Sequence, residues 1–439
     1  MSKVKIDFNK EIGKIKVMHA VNNGPSVSGS DQTRGNQNAY RACRIPYART
    51  HDASFYSVYG GNHTVDVGFI FTDFDADVND PESYDFVCTD RYIEQIITYG
   101  AKPYFRLGSR IEHEAKKYNT FPPKDFQKWA EICEHIIAHY TEGWANGFKY
   151  DMEYWEIWAE PDLDLNEKYN KRMWQGTEEE FYELFITAAK HLKARFPHLK
   201  IGGPASAGDE EWMARFLPTI KKADTPLDFF SFHWYWTQPK DMTDKCTRVR
   251  ALLDKCGYEK TEAHLNEWNY VRGWDSEFVY SIKQIIGIKG AAFDMACMSA
   301  AQSCPDVDML MYYDARPSEW NGLFDFYTLE PIKGYYSFYT FANLYEMGLQ
   351  VDTHSDDENV YIVGAKGNGK HGAVVTYYTE NDNCGTKDVE LEIEGVDPQT
   401  LKFYLVDEDN TFTLKNTYQI NGNKVKMRLA KNSFVYIEG

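Results

Sequence analysis

The sequence predicts an α/β fold: a (β/α)8 TIM barrel followed by a C-terminal antiparallel β-sandwich domain. Three observations carry this. Eight short apolar runs alternate with longer amphipathic stretches between residues 14 and 346, the strand and helix count of such a barrel. The segment "AVNNGPSVSG" after the first run does not fit the G-x-G-x-x-G turn by which the competing doubly wound sheet usually announces itself. Beyond Leu349 the helical period gives way to an alternation of two, punctuated by Gly and Asn turns.

In chain order the runs are "KIKVMHAV" (14–21), "IPYART" (45–50), "KPYFRL" (102–107), "YWEIWAE" (154–160), "LKIGGP" (199–204), "LDFFSFHWY" (227–235), "AHLNEWN" (263–269) and "DMLMYYD" (308–314). Between them, Lys124–Tyr140 places Phe126, Trp129, Ile132, Cys133, Ile136 and Ile137 on one helical face. Thr177–Phe196 opens with "GTEEE", where acids suit a helix's first turn, and Gly290–Ser303 is small and apolar enough for a buried helix. The expected boundaries are a barrel over 14–346 and a β domain over 347–439, which the charged N-terminal strand at 1–13 can join. In that domain "VYIVGAKGNGKHGAVVTYYTENDN" reads as two strands around a turn, and "KVKMRLAKNSFVYIEG" as another pair.

Composition narrows the function. The 439 residues are 43% hydrophobic, enough for a sizeable core. Aromatics reach 15%, and they either fill the core or offer flat platforms to sugars and nucleobases. A formal charge of −18 without any Lys/Arg cluster argues against a nucleic-acid partner. No apolar run is long enough to span a bilayer, so no membrane partner is expected. The eight cysteines are scattered without metal-ligand spacing, and "MSKVKIDFNKEIGKIK" lacks a signal-peptide core. Reduced thiols and a cytoplasmic location follow as expectations; a leader trimmed from the chain would make the protein extracellular instead.

Functional side chains of a TIM barrel belong at the C-terminal ends of its strands. Glu160 ends the fourth run and Glu267 the seventh, in the aromatic settings "YWEIWAEPD" and "NEWN". Each alone could be a solvated acid at a strand end. Facing each other across one barrel mouth, they suit glycoside hydrolysis, in which one carboxylic acid protonates the leaving oxygen and one carboxylate attacks the anomeric carbon. Aromatic neighbours would desolvate the first and raise its pKa, while a cation or hydroxyl would hold the second as an anion.

"WEIWAEP" resembles the acid/base signature W-x-x-W-N-E-P of the clan GH-A retaining glycosidases, and "HLNEWN" resembles that clan's strand-seven nucleophile motif. With "ARTHD" on strand two, "FHWY" on strand six and the late β domain, the chain is most similar to glycoside hydrolase family 39, which includes β-xylosidases and α-L-iduronidases. The resemblance spans nearly the whole chain. It implies Glu160 as general acid/base, Glu267 as nucleophile, His51 against a sugar hydroxyl, and His233 with Tyr235 beside the nucleophile. It further implies an oligosaccharide substrate, no metal or organic cofactor, and exo-action on a terminal β-xyloside or α-L-arabinoside-like sugar of plant-type oligosaccharides. An endo-glycosidase, an α-L-iduronidase-like hydrolase and a catalytically weakened carbohydrate-binding protein are the other readings.

One departure stands out: Ala159 occupies the place of the signature's asparagine, which in the clan hydrogen-bonds the sugar's 2-hydroxyl. Another side chain replaces that contact, the substrate differs at its 2-position, or hydrolysis is weakened. Trp236, Trp268, Trp274 and Trp320 are either sugar platforms or core, and Asn22 and Asn23 either bind hydroxyls or make a turn. Arg272 and Arg316 follow strands seven and eight, where a cation could meet a uronic acid, or where a loop arginine is simply solvated. Self-association into a homo-oligomer is left open.

Overall fold

The computed structural model describes residues 1–28, 34–52, 63–168, 170–415 and 417–439. Eight parallel strands close into a barrel: Val17–Asn22, Tyr47–Arg49, Lys102–Leu107, Tyr154–Ile157, Lys200–Ser206, Phe229–Trp236, Glu262–Tyr270 and Met309–Tyr312, here barrel strands one to eight. Each overlaps one of the apolar runs. The crossover helix Phe126–Thr141 is capped by Asp125, whose side chain accepts from the Lys128 amide. Glu178–Arg195 starts in a capping box between Thr177 and Glu180, the structural use of "GTEEE". Ile288–Ser303 is buried on nearly all sides, which explains its lack of a polar stripe.

Alternation along the strands sorts the barrel interior into layers. Ala20, Tyr104, Tyr154, Phe229, Met309 and Met311 form an apolar plug toward the N-terminal end. Two residues further along the respective strands come Asn22, Arg106, Glu156 and Ser231, joined by Arg49 and Asn266, all buried. The opposite strand faces, including Phe105, Trp155, Phe230, Phe232 and Leu265, pack outward in the main core against the helices.

The C-terminal strands form a ten-stranded sheet that includes Ser2–Lys14. That N-terminal strand lies between Leu349–Ser355, antiparallel to it, and Lys387–Glu394, parallel to it. The parallel pair departs from the purely antiparallel expectation. A strand arriving from the far end of the chain has no hairpin turn to set its direction. One side of the alternation, with Val4, Ile6, Leu391, Val425 and Val435, closes on its own apolar cluster. The other side, with Val363, Val374, Phe434 and Tyr436, joins the barrel's core. A polar tie adds to this junction. Glu380 accepts from the Tyr270 hydroxyl at 2.9 Å and pairs with Arg272 at 2.5 Å and Lys289 at 3.1 Å. The Tyr378 hydroxyl donates to the Thr237 carbonyl at 2.5 Å. The β domain thereby holds the loops that leave barrel strands six and seven.

Candidate active site

Local backbone geometry aims the two acids. Barrel strand four ends at Ile157, and both Trp158 (φ 70°) and Glu160 (φ 46°) then adopt the left-handed region. Such conformations in non-glycine residues cost about 1–3 kcal/mol each and persist where surrounding contacts impose them. Here Trp158 is buried in the core, with its indole donating to the Met173 carbonyl at 3.1 Å, and the Glu160 amide donates to the Ala205 carbonyl at 2.8 Å. On barrel strand seven the pairing with strand six is irregular between Leu265 and Glu267. That irregularity lets the consecutive residues Asn266 and Glu267 both face inward, a common use of a bulge beside a site. The same register sets Glu267 opposite His233.

The acids meet. Carboxylate oxygens of Glu160 and Glu267 and a ring nitrogen of His233 all lie within 4.8 Å of one another. His233 Nδ1 stands between the carboxylates, 2.8 Å from Glu160 Oε1 and 3.4 Å from Glu267 Oε2. The Tyr235 hydroxyl donates to Glu267 Oε2 at 2.8 Å, and Arg49 Nη1 donates to Glu267 Oε1 at 2.6 Å. Arg49 in turn donates through Nε to Glu156 at 2.6 Å and through Nη1 to Asn22 Oδ1 at 2.9 Å.

The two acids have different electrostatic settings. Burial pushes Glu160 up to about 7, opposed by the positive charges of Arg49 and Arg172. Burial and the neighbouring Glu160 charge also raise Glu267, but the Arg49 charge and the Tyr235 hydroxyl pull the other way. Burial lowers His233 to about 4, so its ring is neutral near neutrality. Glu160 is thus raised to about 7, while at Glu267 a guanidinium and a phenol oppose the rise, the direction of difference that acid-assisted displacement requires.

The other sequence candidates fall at varying distances from this centre. His51 is buried, with Nδ1 3.9 Å from Glu267 Oε1 and its ring edge-on to Tyr313. Asn23 is buried with φ 66°, and its Oδ1 accepts from the Asp52 amide at 2.7 Å, so it builds the turn after strand one. Asn22 serves Arg49. Trp320 lies against Tyr235 at 5.7 Å between ring centroids, and Trp274 against Tyr235 at 5.3 Å. Trp274 is 62% exposed, an open ring face at the rim. Trp236 is 46% exposed but leans on Trp234, on the strand face opposite Tyr235. Trp268 is buried against Phe293 and Tyr312, a core residue. Ala159 packs with Met173 and Ala205 in a small buried apolar cluster. Arg272 is taken up by Glu380 and stacks on Tyr280, while Arg316 lies 3.1 Å from Asp52 and 3.5 Å from Asp314.

Arg49 and Glu156 escaped the sequence reading, although both stand inside quoted motifs. The available signal was a charged residue at an inward position of a strand covered on both faces.

A model of glycosyl hydrolases family 39 matches residues 2–377. The chain belongs to that family. A beta-xylosidase of Geobacillus stearothermophilus is 26% identical over 234 residues, covering 46% of this chain and 44% of that protein. A beta-xylosidase of Caldicellulosiruptor saccharolyticus is 30% identical over 165 residues, 35% of this chain and 32% of that one. The matched segments therefore span less than half of either relative. Among solved structures, a glucosidase from Croceicoccus marinus superposes with a TM-score of 0.81 at 21% identity, covering 100% of this chain and 98% of that one. A monomeric beta-xylosidase from Caulobacter crescentus gives 0.71 at 16% identity, covering 100% and 99%. At these identities the structural likeness establishes the fold of this family 39 chain, a closed barrel with an added β domain.

Proposed function

We propose that this family 39 protein is a retaining exo-glycosidase that releases a terminal neutral sugar, β-xyloside-like or α-L-arabinoside-like, from an oligosaccharide. The observation that carries the reading is the short gap between Glu160 and Glu267, one carboxylate oxygen of each lying within 4.8 Å of the other's. Retaining enzymes hold their carboxyl groups about 5–5.5 Å apart, whereas inverting enzymes leave about 6.5–9.5 Å for a water. In the proposed reaction Glu267 attacks the anomeric carbon while Glu160 protonates the departing oxygen. Glu160, then a base, takes a proton from water as that water displaces Glu267 and releases the sugar. His233 and Tyr235 position the two carboxylates. No cofactor enters these steps.

Charge supports a neutral sugar over a uronic acid. Arg49, Arg172, Arg272 and Arg316 each face at least one carboxylate of the protein: Glu156 and Glu267, Asp164, Glu380, and Asp52 with Asp314. A substrate carboxylate would compete with those partners.

The test is a screen of nitrophenyl pentosides, hexosides and uronides, with Glu160 and Glu267 variants as controls. Hydrolysis of a pentoside with retained configuration fits the reading. A uronide preference would replace the sugar class, inverted product would replace the mechanism, and tight binding without turnover would select the carbohydrate-binding alternative.

A further inference from the structure

Interiors of this fold are filled mainly by branched apolar layers, yet the middle layer here is charged. Glu156 is fully buried beneath the paired acids. Its Oε1 accepts from Ser231 Oγ and Asn266 Nδ2, each at 2.6 Å, and its Oε2 accepts from Arg49 Nε at 2.6 Å. Arg49 presents Nη1 to Glu267 Oε1, also at 2.6 Å. One guanidinium therefore bridges a carboxylate sealed from any ligand and a carboxylate at the reacting centre. A buried ion pair of this kind adds little stability over a well-packed apolar pair, so its effect on a neighbour is the better account of its presence.

We propose that Glu156 is a positioning residue: by engaging one edge of Arg49 it limits how tightly the other edge holds Glu267, and so keeps the Glu267 carboxylate basic enough to attack carbon. The rate consequences rest on the glycosidase reading, whereas the electrostatic coupling does not. Without the charge on Glu156, Arg49 would have one anionic partner where it now has two. The cation would then favour ionised Glu267 more strongly, and the repulsion from Glu156 would be gone. Both changes lower the proton affinity of Glu267. A less basic carboxylate is a poorer nucleophile and a better leaving group, so formation of the glycosyl-enzyme slows more than its hydrolysis. Ser231 acts in the opposite sense. Its hydrogen bond spreads the charge of Glu156, and its removal concentrates that charge on Arg49, which loosens the hold on Glu267.

The experiment compares the pH dependence of kcat/KM and kcat for wild type, Glu156→Gln and Ser231→Ala on an activated aryl glycoside, with thermal unfolding to confirm that each variant is folded. Glu156→Gln is expected to move the acid limb of kcat/KM down by about one pH unit. It should also reduce kcat/KM by up to about tenfold and kcat by less. Ser231→Ala is expected to move the same limb up, by a smaller amount, and it carries the test alone if Glu156→Gln does not fold. Limbs that stay in place in the folded variants, whatever happens to the rate, would overturn the proposal by reducing Glu156 to a structural part. If wild type hydrolyses no glycoside, it is the glycosidase reading that fails. The coupling is then read from the carbon-13 titration of the Glu267 carboxyl, assigned with Glu267→Gln, where Glu156→Gln must again lower the midpoint.

Discussion

His233 Nδ1 lies 2.8 Å from Glu160 Oε1, closer than to any oxygen of Glu267. With the ring neutral and Glu160 raised to about 7, a proton near neutrality resides between a carboxyl group and an imidazole that both face the substrate. Activity should fall as pH rises through about 7, because the protonated donor is then lost. On the acid side it should fall above the ordinary carboxylate range, because Glu267 is also raised and must be ionised to attack. A kcat/KM profile that still climbs through neutrality would remove Glu160 from the donor role.

Replacing the nucleophile should be the more severe change. Glu267→Ala is expected to abolish turnover, and azide should restore it with product of the opposite anomeric configuration. Glu160→Ala should lose about 10²–10⁴ on substrates with poor leaving groups and far less on nitrophenyl glycosides. Similar losses on both substrate types would contradict the assignment.

The phenol at Glu267 has its own signature. A hydrogen bond to a charged group is worth about 1.5–3 kcal/mol, so Tyr235→Phe should cost about 10- to 150-fold in kcat/KM. The acid limb should also move up, since that hydroxyl is among the groups that lower Glu267. Steady-state kinetics across pH reads both, and a downward shift would count against it.

Restoring the clan's asparagine should not restore a contact. Ala159 sits among Met173 and Ala205, flanked by Ile111 and Leu163. An amide buried there without partners costs about 1–3 kcal/mol, a fall of a few degrees in Tm. Ala159→Asn should therefore unfold earlier and hydrolyse no faster. A gain in kcat at unchanged Tm would mean the amide reaches the sugar after all.

Stability offers an independent check. Asp294 is buried on the helix Ile288–Ser303, and neither of its carboxyl oxygens has a hydrogen-bond partner among the described residues. Burial raises its pKa far above the unfolded value of 3.8. Its contribution is therefore intact below that value and is lost as pH rises toward the folded one. Asn, which cannot ionise, escapes this loss. Asp294→Asn should raise the unfolding midpoint at neutral and alkaline pH, with the difference shrinking toward acid pH. A difference independent of pH would show that the carboxyl is solvated.

The barrel was legible because buried parallel strands read as uninterrupted apolar runs and crossover helices carry their own caps, as at Thr177. The meeting of Glu160 and Glu267 was legible because strand ends of one barrel share one mouth. What stayed hidden depends on register and partners. No local signal announces the irregularity that turns Asn266 and Glu267 to the same side, nor the commitment of Arg272 to Glu380 more than a hundred positions away. Trp236 and Trp274 look alike in sequence, yet Trp236 ends barrel strand six on the face opposite Tyr235, while Trp274 lies in the loop after strand seven and packs against Tyr235. The parallel seating of Ser2–Asp7 was equally invisible, since strand direction there is set by neighbours that hairpin rules do not reach.

That seating has a consequence for biosynthesis. Val4, Ile6 and Phe8 leave the ribosome more than three hundred residues before Leu349–Ser355 and Lys387–Glu394, the strands that flank theirs in the sheet. A nascent chain must carry this sticky segment, unpaired, while the barrel is synthesised behind it, and only the strands that follow the barrel supply the slot it fills. Protection of that segment by chaperones, or its premature pairing between neighbouring chains, would then govern how much of the protein matures.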